Sequence, residues 1–89
     1  MNFKDLRKDF PTLCEEKAPA YLDNACVTLK PQPVIDAIHH YYTEVPGCGG
    51  RSVHRYGTAV SKSVRDARVA LGEFINANDS NEVVFTRNA

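Results

Sequence analysis

The run Val83-Val84-Phe85 limits the possible folds of this chain more than any other sequence feature. It is apolar at every position, whereas a strand with one face in water alternates apolar and polar residues. The run therefore predicts a strand over 82–87 that is buried on both faces, as in a parallel sheet. The other strand candidate, Tyr21-Leu22-Asp23, is short, and two such strands cannot form a sheet that covers the run. We therefore expect the partner strands to lie outside this chain.

Two amphipathic helices are predicted between these strands. Before them lies an N-terminal arm with a short helix, which stops at Pro11 because the residue before a proline is disfavoured in the α conformation. The first spans 31–45 and starts at Pro31 and Pro33, where a missing N–H costs nothing. The second spans 58–77 and begins at Thr58. Apolar residues recur on each helix at spacings of three and four, namely Val34, Ile38, Tyr41 and Val45, then Val60, Val64, Ala67, Leu71 and Phe74. The second helix carries Arg65 and Arg68 on its polar face.

The loop from Gly47 to Gly57 is unusual because it contains four of the five glycines in the chain. Arginine, histidine and tyrosine side chains lie between them. A long loop with these residues is more often functional than idle, although a plain flexible surface loop is the structural alternative.

The composition is that of a globular protein, with 43% hydrophobic residues, 25% charged residues and a formal net charge of +0. This balance argues against a nucleic-acid partner, because there is no excess of basic residues to neutralise phosphates. No apolar run is long enough to cross a bilayer, and no signal peptide is visible, so we expect a cytoplasmic protein without a membrane partner. Cys14, Cys26 and Cys48 form no CxxC pair, so neither a disulfide framework nor a metal site is predicted.

Several short motifs follow one another in a recognisable order and at fitting distances. They are Tyr21-Leu22-Asp23-Asn24-Ala25, Lys30-Pro31-Gln32-Pro33-Val34-Ile35-Asp36-Ala37, Val53-His54-Arg55, Phe74-Ile75-Asn76-Ala77 and Glu82-Val83-Val84-Phe85-Thr86-Arg87-Asn88. From about Phe10 to Ala89, the chain resembles the N-terminal region of the class V aminotransferases, and most closely the cysteine desulfurase and selenocysteine lyase branch. The expected fold class is therefore α/β. The chain would be a single segment, 1–89, of a fold-type I transferase, mostly helical with two short strands.

The resemblance implies a homodimeric enzyme that uses pyridoxal 5′-phosphate (PLP). Such enzymes remove sulfur from L-cysteine and leave alanine and a persulfide on an enzyme cysteine, in support of Fe–S cluster or thio-cofactor synthesis. The cofactor is held by a lysine as a Schiff base, and both that lysine and the acceptor cysteine lie far downstream in the family. None of the five lysines here stands in the matching context, namely Lys4, Lys8, Lys17, Lys30 and Lys62. No catalytic residue is therefore expected in this chain.

The resemblance also assigns a small set of binding residues. Asn88 and Ala89 match the start of the turn that leads to the cofactor phosphate. Ala25 and Cys26 match a pair of small residues that line the substrate pocket, although the family usually has alanine in place of Cys26, which puts the exact substrate in doubt.

His54 and Arg55 match a segment near the active-site entrance and the dimer interface, where positioning or interface contact is the expected role. Cys48 lies in a Gly-Cys-Gly-Gly context that suits a sulfur acceptor. Its position argues against that role, because the acceptor of the family lies much later in the sequence. An auxiliary thiol near the entrance is the alternative.

These observations predict that the chain is the N-terminal part of a cysteine desulfurase-like enzyme. By itself the chain would be inactive and would bind no PLP. Its expected partner is the downstream segment of the same enzyme or a complementary chain. Two alternatives are another class V activity, such as a selenocysteine lyase or aminotransferase, and a non-enzymatic helical module that binds a protein partner.

Overall fold

The computed structural model describes residues 2–15 and 17–87, and their regular structure is helical. Three α-helices are α1 (Phe3–Leu6), α2 (Gln32–Thr43) and α3 (Arg55–Phe74). Short 3₁₀ helices occur at Arg7–Asp9, Pro11–Leu13 and Ser80–Glu82. Within this described part, no helix is both long and apolar enough to span a bilayer.

The chain divides into two compact units, Met1–Thr43 and Glu44–Ala89. The expectation that 1–89 is a single segment of a larger domain stays a prediction. The first unit contains α1 and α2, and the second contains the glycine-rich loop and α3. The boundary falls just before Val45-Pro46-Gly47, where the sequence analysis ended the first long helix.

The two short strands expected at 21–23 and 82–87 do not form in the described residues. The 3₁₀ helix Ser80–Glu82 takes up the start of the second segment, and Val83 follows with an extended backbone (φ −90°, ψ 117°). A strand exists only through hydrogen bonds to a neighbouring strand, and the described part of this chain contains no such neighbour. The expectation of two strands is therefore not met in this chain by itself.

The start of α1 is fixed by Asn2. Its side-chain oxygen accepts from the Lys4 N–H at 3.1 Å, and its side-chain amide donates to the Asp5 carboxylate at 2.8 Å. These bonds satisfy free groups at the first turn. At the other end of this region, Phe10 leaves the helical conformation (φ −106°, ψ 104°) because Pro11 follows it.

Helix α2 is shorter at both ends than the predicted range 31–45. Pro31 precedes the helix, and its carbonyl accepts from the Val34 N–H at 3.0 Å. The helix ends at Thr43, whose hydroxyl donates to the His39 carbonyl at 2.8 Å. Val45 cannot continue it readily, because the residue before Pro46 is disfavoured in the α conformation.

Helix α3 begins at Arg55, three residues before the predicted Thr58. The reason is a cap that the sequence pattern did not suggest: His54 has an extended backbone (φ −78°, ψ 166°), and its side chain accepts from the Gly57 N–H. Histidine is not among the favoured capping residues, so the apolar periodicity placed the start too late.

The end of α3 is a Schellman motif, which stops the helix at Phe74 and not at the predicted Ala77. Asn76 takes the left-handed conformation (φ 57°) that asparagine tolerates better than most residues. The Ala77 N–H donates to the Gly72 carbonyl at 2.9 Å, and the Asn76 N–H donates to the Glu73 carbonyl at 3.1 Å.

After this motif the chain folds back along α3. Asp79 caps the 3₁₀ helix Ser80–Glu82 by accepting from the Asn81 N–H at 2.7 Å. Ser80 then passes close to Gly72, and a Cβ placed on Gly72 would lie 3.5 Å from the Ser80 Cα, an ordinary contact distance. Further along, the Arg68 guanidinium carbon lies 5.5 Å from the centroid of the Phe85 ring.

Apolar surface is uncovered throughout the described part of the chain, where no hydrophobic side chain is buried. Val53 is 99% exposed, Leu22 91% and Phe74 86%. The accessible surface is 7961 Å², whereas a compact protein of 9.9 kDa exposes about 5200 Å². Even two separate compact bodies of half that mass would expose only about 6300 Å². The helices therefore have caps and amphipathic patterns but lack a core.

We predict that the isolated chain shows helical circular dichroism, binds a hydrophobic dye such as ANS, and melts without a sharp transition. Helix caps stabilise single elements, but cooperative unfolding requires a packed core. Differential scanning calorimetry checks this. A two-state peak with an enthalpy of about 60 kcal/mol, normal for a globular domain of this length, would contradict the prediction.

Candidate functional site

Asn88 and Ala89, the residues matched to the phosphate-binding turn, lie outside the described residues. The other four matched residues fall into two pairs. Ala25 and Cys26 belong to the first unit, and His54 and Arg55 belong to the second.

Ala25 and Cys26 lie in a tight turn. The backbone N–H groups of Cys26 and Val27 both donate to the Asp23 carbonyl at 3.1 Å. The Tyr21 hydroxyl contacts the carbonyls of Asp23, at 3.3 Å, and Val27, so it joins both ends of the turn. The side chains of Ala25 and Cys26 are exposed at the tip of this turn, where small residues leave the backbone open to approach by another group.

His54 and Arg55 lie at the N-terminus of α3 and share contacts with Tyr56. The His54 and Tyr56 rings meet edge to face with centroids 6.2 Å apart, and the Arg55 guanidinium lies 5.9 Å from the Tyr56 centroid. The His54 Nδ1 accepts from the Gly57 N–H at 3.4 Å. A neutral imidazole that accepts at Nδ1 carries its proton on Nε2, so His54 presents a hydrogen-bond donor there.

The glycine-rich loop packs against α3. This packing differs from the flexible surface loop that was the structural alternative. A Cβ on Gly57 would lie 2.5 Å from the carbonyl oxygen of Ser52, a distance that real Cβ atoms do not show. Gly50 has φ +79°, in the left-handed region that glycine enters without strain. These glycines allow close packing of the loop and a local turn.

Ser61 is a site residue that the sequence analysis missed. Its hydroxyl donates to the Gly57 carbonyl at 2.7 Å and accepts from the Gly50 N–H at 2.8 Å. The first bond is local, since serine in a helix often bonds the carbonyl four residues earlier. The second joins residues far apart in sequence, so no local pattern could reveal it.

Arg68 was assigned to the polar face of α3, but the structure places it in a cleft of about 300 Å³. The cleft is lined by Gly49, Gly50, Ser61, Val64, Arg65 and Arg68. The Arg68 Nε is buried, and within the described residues it has no hydrogen-bond partner. Such an orphaned donor costs about 1–3 kcal/mol, so an acceptor from outside the described residues would stabilise it.

The three cysteines are free and exposed. The Cys14 thiol donates to the carbonyls of Lys8 at 3.2 Å and Phe10 at 3.3 Å. Cys48 lies in the glycine-rich loop, next to Gly49 of the cleft. Among residues 2–15 and 17–87, no three histidine, cysteine, aspartate or glutamate side chains are grouped so that they could hold a metal ion.

Comparison with known proteins gives these features a context. The family model described as "Aminotransferase class-V" matches residues 20–89. A protein named as a probable cysteine desulfurase from Treponema pallidum is 32% identical over 87 residues, which is 98% of this chain and 22% of that protein. A second, from Streptomyces coelicolor, is 39% identical over 88 residues, which is 94% of this chain and 21% of that protein.

The same similarity extends to a solved structure, the apo form of the cysteine desulfurase from Thermococcus onnurineus NA1. It matches with a TM-score of 0.79 at 33% sequence identity, over 96% of this chain and 20% of that one. The chain belongs to the class V aminotransferase family. It spans about a fifth of the length of the cysteine desulfurases that it matches.

We predict that Gly57→Ala releases the glycine-rich loop and that Gly72→Ala does not. The new methyl group at 57 collides with Ser52, whereas the one at 72 makes an ordinary contact with Ser80. Overpacking of this kind costs about 1–3 kcal/mol, while alanine inside a helix gains up to about 1 kcal/mol over glycine. Limited trypsin cleavage after Arg51 should be about tenfold faster in Gly57→Ala. Equal cleavage rates in the two variants would contradict this account of the loop.

Proposed function

We propose that this chain is the N-terminal part of a PLP-dependent cysteine desulfurase-like enzyme. The observation that carries the proposal is its match to cysteine desulfurases at 32–39% identity over nearly its whole length. The proposed reaction transfers sulfur from L-cysteine to an enzyme thiol, giving alanine and a persulfide. Cytoplasmic location and a homodimeric complete enzyme are part of the same proposal.

The uncovered apolar faces support a role as part of a larger body. The exposed face of α2 forms an open groove of about 570 Å³, lined by Pro33, Val34, Ala37, Ile38, Tyr41 and Tyr42. Amphipathic helices are stabilised mainly by packing of such faces. In the proposed enzyme the remaining polypeptide covers them, and the segment 82–87, extended at Val83, joins its sheet as a strand.

Three lysines of the described residues make ordinary surface contacts. Lys8 pairs with Asp5 at 2.8 Å and Lys62 pairs with Asp66 at 2.5 Å, both on exposed surface. Lys30 donates to the Thr28 carbonyl at 2.5 Å. These three contacts lie on exposed surface and give no sign of a lysine held for Schiff-base chemistry. We therefore assign the cofactor-binding lysine to the rest of the enzyme, where PLP would supply electron withdrawal from the substrate.

This chain would contribute binding groups around that centre. We propose that Asn88 and Ala89 begin the phosphate-binding turn and that Ala25 and Cys26 line the substrate pocket. Exposure of the turn that carries Ala25 and Cys26 is consistent with contact to another part of the enzyme. His54 and Arg55 would contact the entrance or dimer interface, with the His54 Nε2–H as a donor to an oxygen acceptor.

Co-expression tests the proposal directly. Alone, the chain should show no visible absorbance from lysine-bound PLP and no desulfurase activity. When the remaining four-fifths of a cysteine desulfurase is supplied, in the same polypeptide or as a complementary chain, both should appear, and the measurements are absorbance and alanine formed from L-cysteine. Alanine formed only from selenocysteine would favour a lyase. A soluble chain that melts cooperatively as a monomer, and gains no activity with any such segment, would favour a partner-binding module and contradict the proposal.

A matched pair of variants tests whether the remaining polypeptide of the proposed enzyme contacts the second unit. Arg65 and Arg68 line the same cleft, but only Arg68 has a buried Nε that lacks a partner in the described residues. We expect Arg68→Lys, which removes Nε, to reduce the yield of the co-purified complex about tenfold, since a buried charged hydrogen bond contributes about 1.5–3 kcal/mol. Arg65→Lys serves as the control and should leave the yield unchanged. Both variants keep the positive charge, so a similar loss in both would show that the effect is not specific to the buried Arg68 Nε and would contradict this account.

A further inference from the structure

A continuous series of hydrogen bonds runs from the glycine-rich loop to the His54 ring. The Gly50 N–H donates to the Ser61 Oγ at 2.8 Å, and the Ser61 hydroxyl donates to the Gly57 carbonyl at 2.7 Å. The Gly57 N–H in turn donates to His54 Nδ1 at 3.4 Å. Gly57 therefore connects Ser61 and His54 through its own backbone groups.

The packing around these bonds leaves little freedom. Gly57 is buried, and its backbone lies so close to Ser52 that no side chain would fit between them. On the loop side, a Cβ on Gly49 would lie 3.2 Å from a methyl carbon of Val60. A group held by close packing and by hydrogen bonds at both ends keeps its orientation better than one held by either alone.

Ser63 provides a natural comparison on the same helix. Its hydroxyl donates to the Ala59 carbonyl at 3.1 Å, four residues earlier, as the Ser61 hydroxyl does with Gly57. Ser63 is exposed, and its only described bond is this local one, whereas Ser61 also accepts from Gly50. The two serines therefore share the local bond but differ in two respects, since Ser61 is half-buried and also bonds the loop.

We propose that Ser61 is a positioning residue that holds the loop Gly47–Val53 on α3 and thereby orients His54 as an Nε2–H donor at the entrance. The orientation of the loop does not depend on the proposed function. The role of His54 as a donor does rest on the proposed function, because that role requires the complete enzyme. The acceptor is an oxygen atom, a carboxylate or a carbonyl, of the substrate or of the neighbouring polypeptide.

Hydrogen exchange by mass spectrometry tests this in the complete enzyme, with wild type, Ser61→Ala, Ser61→Thr and Ser63→Ala compared. We expect peptides covering Gly47–Val53 to exchange about five- to tenfold faster in Ser61→Ala, as loss of one hydrogen bond predicts. Ser63→Ala should stay within twofold of wild type, and Ser61→Thr, which keeps the hydroxyl, should restore slow exchange. Alanine favours helices, so α3 itself should exchange no faster in either alanine variant.

Steady-state kinetics on the same proteins test the role of His54. Ser61→Ala should raise KM about three- to tenfold with little change in kcat, because an entrance contact is made in the ground state and in the transition state alike. Ser61→Thr should recover the KM, and Ser63→Ala should not change it. Faster loop exchange without a change in KM would overturn the assigned role of His54.

Equal loop exchange in Ser61→Ala and Ser63→Ala, or a loop unprotected in wild type, would overturn the positioning role of Ser61. A complete enzyme with no activity in any form would instead contradict the proposed function. In that case exchange of the same loop peptides, measured in the inactive complete protein, still decides the positioning role of Ser61. Loss of loop protection in Ser61→Ala but not in Ser63→Ala would support the positioning role of Ser61, and any other result would overturn it.

Discussion

Burial of apolar surface is the interaction on which the long helices of this protein depend. Isolated amphipathic helices are only marginally stable in water, and packing of their apolar faces supplies most of their stability in proteins. The described residues of α2 and α3 bury none of their hydrophobic side chains. The relatives are about five times as long, and in the proposed enzyme the rest of the polypeptide would cover this surface.

Local interactions nevertheless specify the positions at which the helices begin and end. Asn2 caps α1, His54 caps α3, and the Schellman motif with Asn76 closes α3. Each such device contributes about 1 kcal/mol, which is enough to set a boundary but not to fold a chain. The ends of the helices are thus specified within the sequence, while in the proposed enzyme most of the free energy that stabilises them would come from packing against the rest of the polypeptide.

This division explains which features could be predicted from the sequence. Apolar periodicity indicated helices near 31–45 and 58–77, and the ordered motifs indicated the family, which the comparisons confirm. The His54 cap and the left-handed Asn76 moved both ends of α3, because they depend on single side chains and not on periodicity. The strand at 82–87 could not form because hydrogen bonds to a neighbouring strand are missing in the described residues, although the continuous apolar run still indicates burial on both faces.

The candidate site shows the same limit at the level of single residues. Ala25, Cys26, His54 and Arg55 came from sequence motifs, whereas Ser61 and Arg68 became visible only through contacts with Gly50 and Phe85. Neither residue has an unusual sequence context, since both are polar residues on an amphipathic helix. Their environments differ from the expected solvated face because both the glycine-rich loop and the segment after Ser80 contact α3. Glycine at 57 makes the first approach possible, so the spacing of glycines in the loop reflects the packing that places His54.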